Sequence, residues 1–170
     1  MQGVAEFYKV SFDQFLQDSQ KTSFIDAETD PEIVRLTYDG IKYPARATGG
    51  SAGYDFFLPY SFALNAGVSV TIPTGLRADI QPGWFLSLVP RSSLGFKYGM
   101  RLLNTFAVID SDYFWADNEG HIMVKLTADT NMCLRAGDRF VQGLILPHGT
   151  TRSDNILEME RTGGIGSTGK

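Results

Sequence analysis

Ten residues near the end of the chain, Arg161-Thr-Gly-Gly-Ile-Gly-Ser-Thr-Gly-Lys170, carry the parts needed to wrap a polyphosphate. Glycines expose backbone N–H groups. Ser167 and Thr168 supply hydroxyls, and Arg161 and Lys170 supply flanking charge. A segment this rich in glycine is expected to be flexible until a ligand orders it, as an arm closing over a nucleotide triphosphate. Part of it, Gly164 to Lys170, fills the G-x-x-x-x-G-K positions of a P-loop. A P-loop then needs a hydroxyl residue for magnesium and a helix whose N-terminus faces the phosphates. The sequence supplies neither, so a P-loop NTPase is not expected.

Four further segments have residue types suited to phosphoanhydride chemistry: Ala52-Gly-Tyr-Asp55, Pro90-Arg-Ser-Ser-Leu-Gly-Phe-Lys97, Asn104 to Tyr113 with Val108-Ile-Asp-Ser-Asp-Tyr113 at its core, and Gly137-Asp-Arg-Phe-Val-Gln142. Alone, each is weak. An aspartate in a turn is ordinarily a cap or an Asx turn, and Arg-Ser-Ser is a common surface tripeptide. Together with the tail, and in this order, they resemble the five motifs of the homotrimeric dUTP pyrophosphatases (dUTPases). The N-terminal segment and compact size are similar to phage or Gram-positive bacterial members.

The resemblance implies a role for each matching position. Asp110 would be the base that takes a proton from the attacking water. Asn104, on a hairpin of residues 104–110 that includes Ile109, would help read the uracil edge through fixed hydrogen-bonding groups, which reject cytosine. Tyr113 would lie against the deoxyribose and exclude a ribose hydroxyl. Arg91, Ser92, Ser93, Lys97 and Gln142 would serve the phosphates. Asp55 would hold a water of a Mg²⁺ ion bound mainly by the three phosphates. In the tail, Arg161, Ile165, Gly166, Ser167 and Thr168 would close over dUTP.

The sequence departs from the family at three places. Ile165 stands where a phenylalanine usually stacks on uracil, in a tail one residue shorter. Such stacking is worth roughly 1–3 kcal/mol, so weaker closure is expected rather than inactivity. Residues 114–121 form a longer turn with Trp115. Residues 1–32 lie outside the usual core.

The sister family of dCTP deaminases shares the shell and an Arg-Ser-Ser-Leu motif but needs a glutamate where this chain has Lys125, so deamination is disfavoured. One cysteine and two histidines, His121 and His148, cannot make a zinc deaminase site. A non-catalytic regulatory module of the same fold is the other alternative.

Elements must position these groups. Residues 7–18 have apolar spacing for a short amphipathic helix with Ser11 as cap, and 19–31 read as a polar linker. Ile33 to Tyr38 alternates like a strand. Val68 to Ile72, Trp84 to Val89, Ile122 to Leu126 and Arg139 to Leu146 read as strands punctuated by glycine and proline turns. This predicts an all-β fold, a distorted jelly-roll or β-clip-like barrel, with an N-terminal extension over 1–31, a core over 32–156 and an arm over 157–170.

The chain has 170 residues, one domain's length, and 43% hydrophobic content. There is no long apolar run and no basic-then-apolar leader at the start, so neither a membrane span nor a signal peptide is expected. The lone Cys133 fits a reducing cytoplasm. A net charge of −4 speaks against binding nucleic-acid backbones. The family's sites are shared between chains, so the resemblance also implies a homotrimer with three sites.

Overall fold

The computed structural model describes residues 3–155. Eleven strands and three helices follow one another among these residues. The first strand, β1 (Ala5–Lys9), is followed by α1 (Phe12–Lys21) and α2 (Pro31–Asp39). Next come β2 (Tyr54–Phe57), β3 (Phe62–Leu64), β4 (Ser69–Pro73), β5 (Leu76–Ile80) and β6 (Trp84–Pro90). Helix α3 (Ser92–Tyr98) precedes β7 (Arg101–Leu102) and β8 (Ala107–Ile109). A 3₁₀ turn (Ser111–Trp115), β9 (Met123–Thr127), β10 (Met132–Leu134) and β11 (Arg139–Pro147) complete the chain.

The strands form four small sheets: β2-β11-β6-β8, β4-β9-β7, β1-β5 and β10-β3. All the pairings are antiparallel. Phe56, Phe140, Ile72, Leu76, Leu86, Leu88, Ile122 and Leu126 are fully buried and join one core. This is the jelly-roll-like, mostly β fold expected from the spacing of apolar runs.

Three local expectations are corrected. Ile33 to Tyr38 is helix, not strand. Asp30 caps it by accepting from the Glu32 amide, and Pro31 sits in its first turn. These end signals outweigh an alternation in which only Val34 is buried. Residues 7–18 divide into two elements, because Phe7 and Tyr8 pair with Ala78 and Arg77 as strand. The helix begins after Ser11, whose hydroxyl accepts from the Gln14 amide as expected of a cap. It runs on to Lys21, so the linker is shorter than the sequence implied. Finally, the strands on either side of the 103–106 turn do not pair with each other. β7 pairs with β9 and β8 with β6, so the expected hairpin is a crossing between two sheets.

The N-terminal segment is built into the fold. Phe15 of α1 is fully buried and stacks parallel to Tyr60 at 5.7 Å. Burial of a phenylalanine contributes about 1.5–3 kcal/mol.

Candidate active site

Four of the five motif segments fall in the described residues, and one sheet, β2-β11-β6-β8, positions them all. Asp55 lies on β2, opposite Gln142 on β11, which is opposite Val89 on β6. Just beyond the end of β6 stands Arg91, the residue before α3.

These residues meet. Asp55 is 3% exposed, and its carboxylate receives Arg91 Nε at 3.2 Å, Arg139 at 3.1 Å and Gln142 Nε2 at 3.1 Å. Burying a carboxylate requires paired partners, and here three side chains supply them. Two arginines around one carboxylate leave a net positive charge at this end of the sheet, suited to an anion. Gln142 is packed in place because Gly53 lies beside it; a Cβ on Gly53 would lie 3.3 Å from the Gln142 side chain.

Arg139 was not singled out from the sequence, although it lies inside the Gly137 to Gln142 motif. Three residues apart on a regular strand, Arg139 and Gln142 would point to opposite faces. A bulge between Arg139 and Val141 restores the phase, so Phe140 and Val141 are both buried while Arg139 and Gln142 reach the same carboxylate. The break in register is invisible in the residue pattern. Only the position of Arg139 within the motif could have pointed to it.

The Arg91-Ser-Ser stretch opens a short helix. Ser92 and Ser93 are exposed in its first turn, and Lys97 is exposed in its last. Gly99 ends it in the left-handed region at φ 62°, where any Cβ would collide with Asp129. Phe96, 93% exposed, projects from the same helix.

The remaining predicted residues lie elsewhere on the sheet. Asn104 is exposed in the turn after β7, and Ile109 is buried at the end of β8, opposite Leu86. Asp110 precedes the 3₁₀ turn, and its side chain does not cap it. From Asp55 to Ile109 the path covers three residues along β6 and three strand spacings, roughly 17 Å in all. Asp110 is one residue further. The structure therefore brings Asp55, Arg91 and Gln142 together and keeps Asp110 away from them.

Tyr113 is only 7% exposed. Its hydroxyl donates to the His121 carbonyl at 2.8 Å and accepts from Asn118 Nδ2 at 2.7 Å. Arg161, Ile165, Gly166, Ser167 and Thr168 lie outside the described residues. Lys125 is exposed on β9.

Among the described residues no group of three or more His, Cys, Asp or Glu side chains could hold a metal. A carboxylate offers about four acceptor positions, and the two arginines and Gln142 occupy three on Asp55. The remaining capacity fits a metal-bound water rather than direct coordination. No helix among these residues is long and apolar enough to cross a membrane.

A sequence profile of the dUTPase family matches residues 39–169. The chain is 41% identical over 141 residues to the deoxyuridine 5'-triphosphate nucleotidohydrolase of Lactococcus lactis, covering 81% of this chain and 94% of that protein. It is 36% identical to the nucleotidohydrolase of Aeromonas hydrophila, over 77% of this chain and 90% of that one. Among solved structures, the dUTPase from Streptococcus mutans superposes with a TM-score of 0.59 at 39% identity, covering 65% of this chain and 88% of that chain. A point mutant of the dUTPase from phage phi11 of S. aureus, described with a structural Mg(II) ion, shares the fold alone. It has a TM-score of 0.58 at 19% identity, covering 70% of this chain and 92% of that one. With its motifs gathered on one sheet and its sequence matched over most of its length, the chain belongs to the dUTPase family.

Proposed function

We propose that this protein hydrolyses dUTP to dUMP and pyrophosphate, limiting uracil incorporation into DNA and supplying dUMP for thymidylate synthesis. Water attacks the α-phosphorus, the bond from that phosphorus to the bridging oxygen breaks, and pyrophosphate leaves. Asp110 orients the water and accepts its proton. Arg91, Ser92, Ser93, Lys97 and Gln142 take the phosphates, with Arg139 added to this set by its place on Asp55. Fixed cations here act where charge accumulates on the departing pyrophosphate. Asn104 and Ile109 flank the uracil, and Tyr113 packs on the deoxyribose. The tail, through Arg161, Ile165, Gly166, Ser167 and Thr168, covers the bound nucleotide. Mg²⁺ would be held mainly by the phosphates, with Asp55 holding one of its waters, and would supply further neutralisation of their charge.

The observation that carries this reading is the division of one sheet. Its positive cluster around Asp55 and its candidate base at Asp110 stand roughly 17 Å or more apart. Taking Asp110 from one chain and the arginines from another brings the two onto one substrate, which is the arrangement of a homotrimer with shared sites.

The test is turnover with Mg²⁺ of dUTP, dCTP, dTTP and UTP side by side, following both products, with Asp110→Asn as the control. Conversion of dUTP alone to dUMP and pyrophosphate, lost in the variant, is the expected result. Ammonia release from dCTP, or binding of dUTP without turnover, would overturn it.

A further inference from the structure

The N-terminal segment reaches the sugar side of the proposed site through a continuous set of hydrogen bonds. Tyr113 is fixed by the His121 carbonyl and by Asn118. The His121 ring is fully buried. Its Nε2 accepts from the Gly75 amide at 2.8 Å, which places the ring proton on Nδ1, facing Asp18 Oδ2 at 2.7 Å. Asp18 belongs to α1 and is further held by Gln14 Nε2 at 2.7 Å. A second link runs beside the first. The Ser11 amide and hydroxyl donate to the two carboxylate oxygens of Glu119 at 2.7 and 2.6 Å. Glu119 sits at φ +57°, a conformation a glutamate adopts only when its surroundings impose it. The next residue, Gly120, passes so close that a Cβ there would lie 2.6 Å from the Tyr113 carbonyl oxygen.

We propose that Asp18, His121 and the Ser11–Glu119 pair are positioning residues that set the ring of Tyr113, and thereby the discrimination of dUTP from UTP. This rests on the proposed placement of Tyr113 against the deoxyribose. None of the four touches substrate. They act by fixing the 116–121 turn that Tyr113 leans on, and both links originate in residues that precede the part of the chain matched to the family, 39–169. A tyrosine that excludes a hydroxyl by contact must be held to a fraction of an ångström. In this chain the N-terminal segment supplies that support.

The test uses the full-length protein and three variants: Glu119→Ala, Ser11→Ala and the near-isosteric Asp18→Asn. The Ser11–Glu119 contact is at the surface, so Glu119→Ala keeps the core intact even if a change at Asp18, or loss of the Ser11 cap, impairs folding. The first readout is the ratio of kcat/KM for dUTP over UTP. The second, independent of turnover, is the ¹³C resonance of the Tyr113 ring, assigned through Tyr113→Phe. Expected are a drop in the ratio by about ten-fold in Glu119→Ala, with dUTP kcat changed by less than about two-fold, and a displaced Tyr113 resonance. An unchanged ratio or an unmoved resonance in an active enzyme overturns the proposal and leaves a purely structural contact. If the wild type turns over no dUTP, the functional reading itself fails, a result separable from the first.

Discussion

Two buried carboxylates face opposite demands in this molecule. Asp55 is surrounded by Arg91, Arg139 and Gln142 at one end of the β2-β11-β6-β8 sheet. Asp18 is held by His121 and Gln14, with Lys21 at 3.6 Å, beneath the 116–121 turn. The arginines on Asp55 remain partly exposed and carry charge in excess of the single carboxylate. His121 is sealed from solvent and presents one donor to Asp18 and one acceptor to the backbone. The first arrangement leaves cationic groups open to solvent. The second pins two pieces of the chain together. Burial of a carboxylate alone therefore says little about function; the exposure and charge of its partners do.

The largest expected effect lies outside both clusters. Asp110→Asn should lower kcat for dUTP by about 10²–10⁴-fold while leaving the urea midpoint in place. Mixing this variant with Arg91→Ala after joint refolding should restore about a quarter of wild-type activity, because one site in four then draws intact groups from two chains. No recovery on mixing would place both groups within a single chain.

Removing the two carboxylates should sharpen the comparison. Asp55→Ala and Asp18→Ala should each cost about 2–3 kcal/mol in urea denaturation, the loss typical of hydrogen bonds to a charged group. Only Asp55→Ala should raise the KM for dUTP strongly. Equal KM values would erase the distinction drawn between the two clusters.

Next to Gln142 on β11, Gly143 lies against Phe56 and Leu86, and a Cβ would sit 2.8 and 2.9 Å from their side chains. Gly143→Ala should destabilise by about 1–3 kcal/mol, readable as a lower Tm. The smallest effect is in acid. Burial pushes the Asp18 carboxyl up, but hydrogen bonds from His121 and Gln14 outweigh it and hold it below its ordinary value. Burial likewise raises Glu119, and the two Ser11 hydrogen bonds more than reverse this. Both therefore contribute stability that is complete above their unfolded values, about 3.9 and 4.3, and that is lost as pH falls through the lower folded values. Asp18→Asn and Glu119→Gln should flatten that acid limb relative to wild type, measured as Tm against pH.

Much of this was legible in the residues. The Ser11 cap, the strands at Val68, Trp84, Ile122 and Arg139, and the family resemblance all rest on local signals that the structure and the comparisons bear out. The helix at Pro31–Asp39 was misread because alternation drew attention away from Asp30 and Pro31, which mark its start. Arg139 was missed because a bulge, not a residue type, turns it toward Asp55. The partnership of Asp18 with His121 joins residues 103 apart in the chain. No spacing rule reaches that far.

By itself, then, the sequence determined the chemistry on offer: a carboxylate at Asp110, cations and hydroxyls at Arg91 to Lys97, and a mostly β shell to carry them. Residue type and short-range period are local properties, and they are written in the chain directly. Which groups meet was decided only in three dimensions. Strand register and the bulge in β11 gather Arg91, Arg139 and Gln142 on Asp55, while the width and length of the same sheet hold Asp110 apart. Pairing between distant strands depends on the packing of the whole core, and that is settled only when the chain folds.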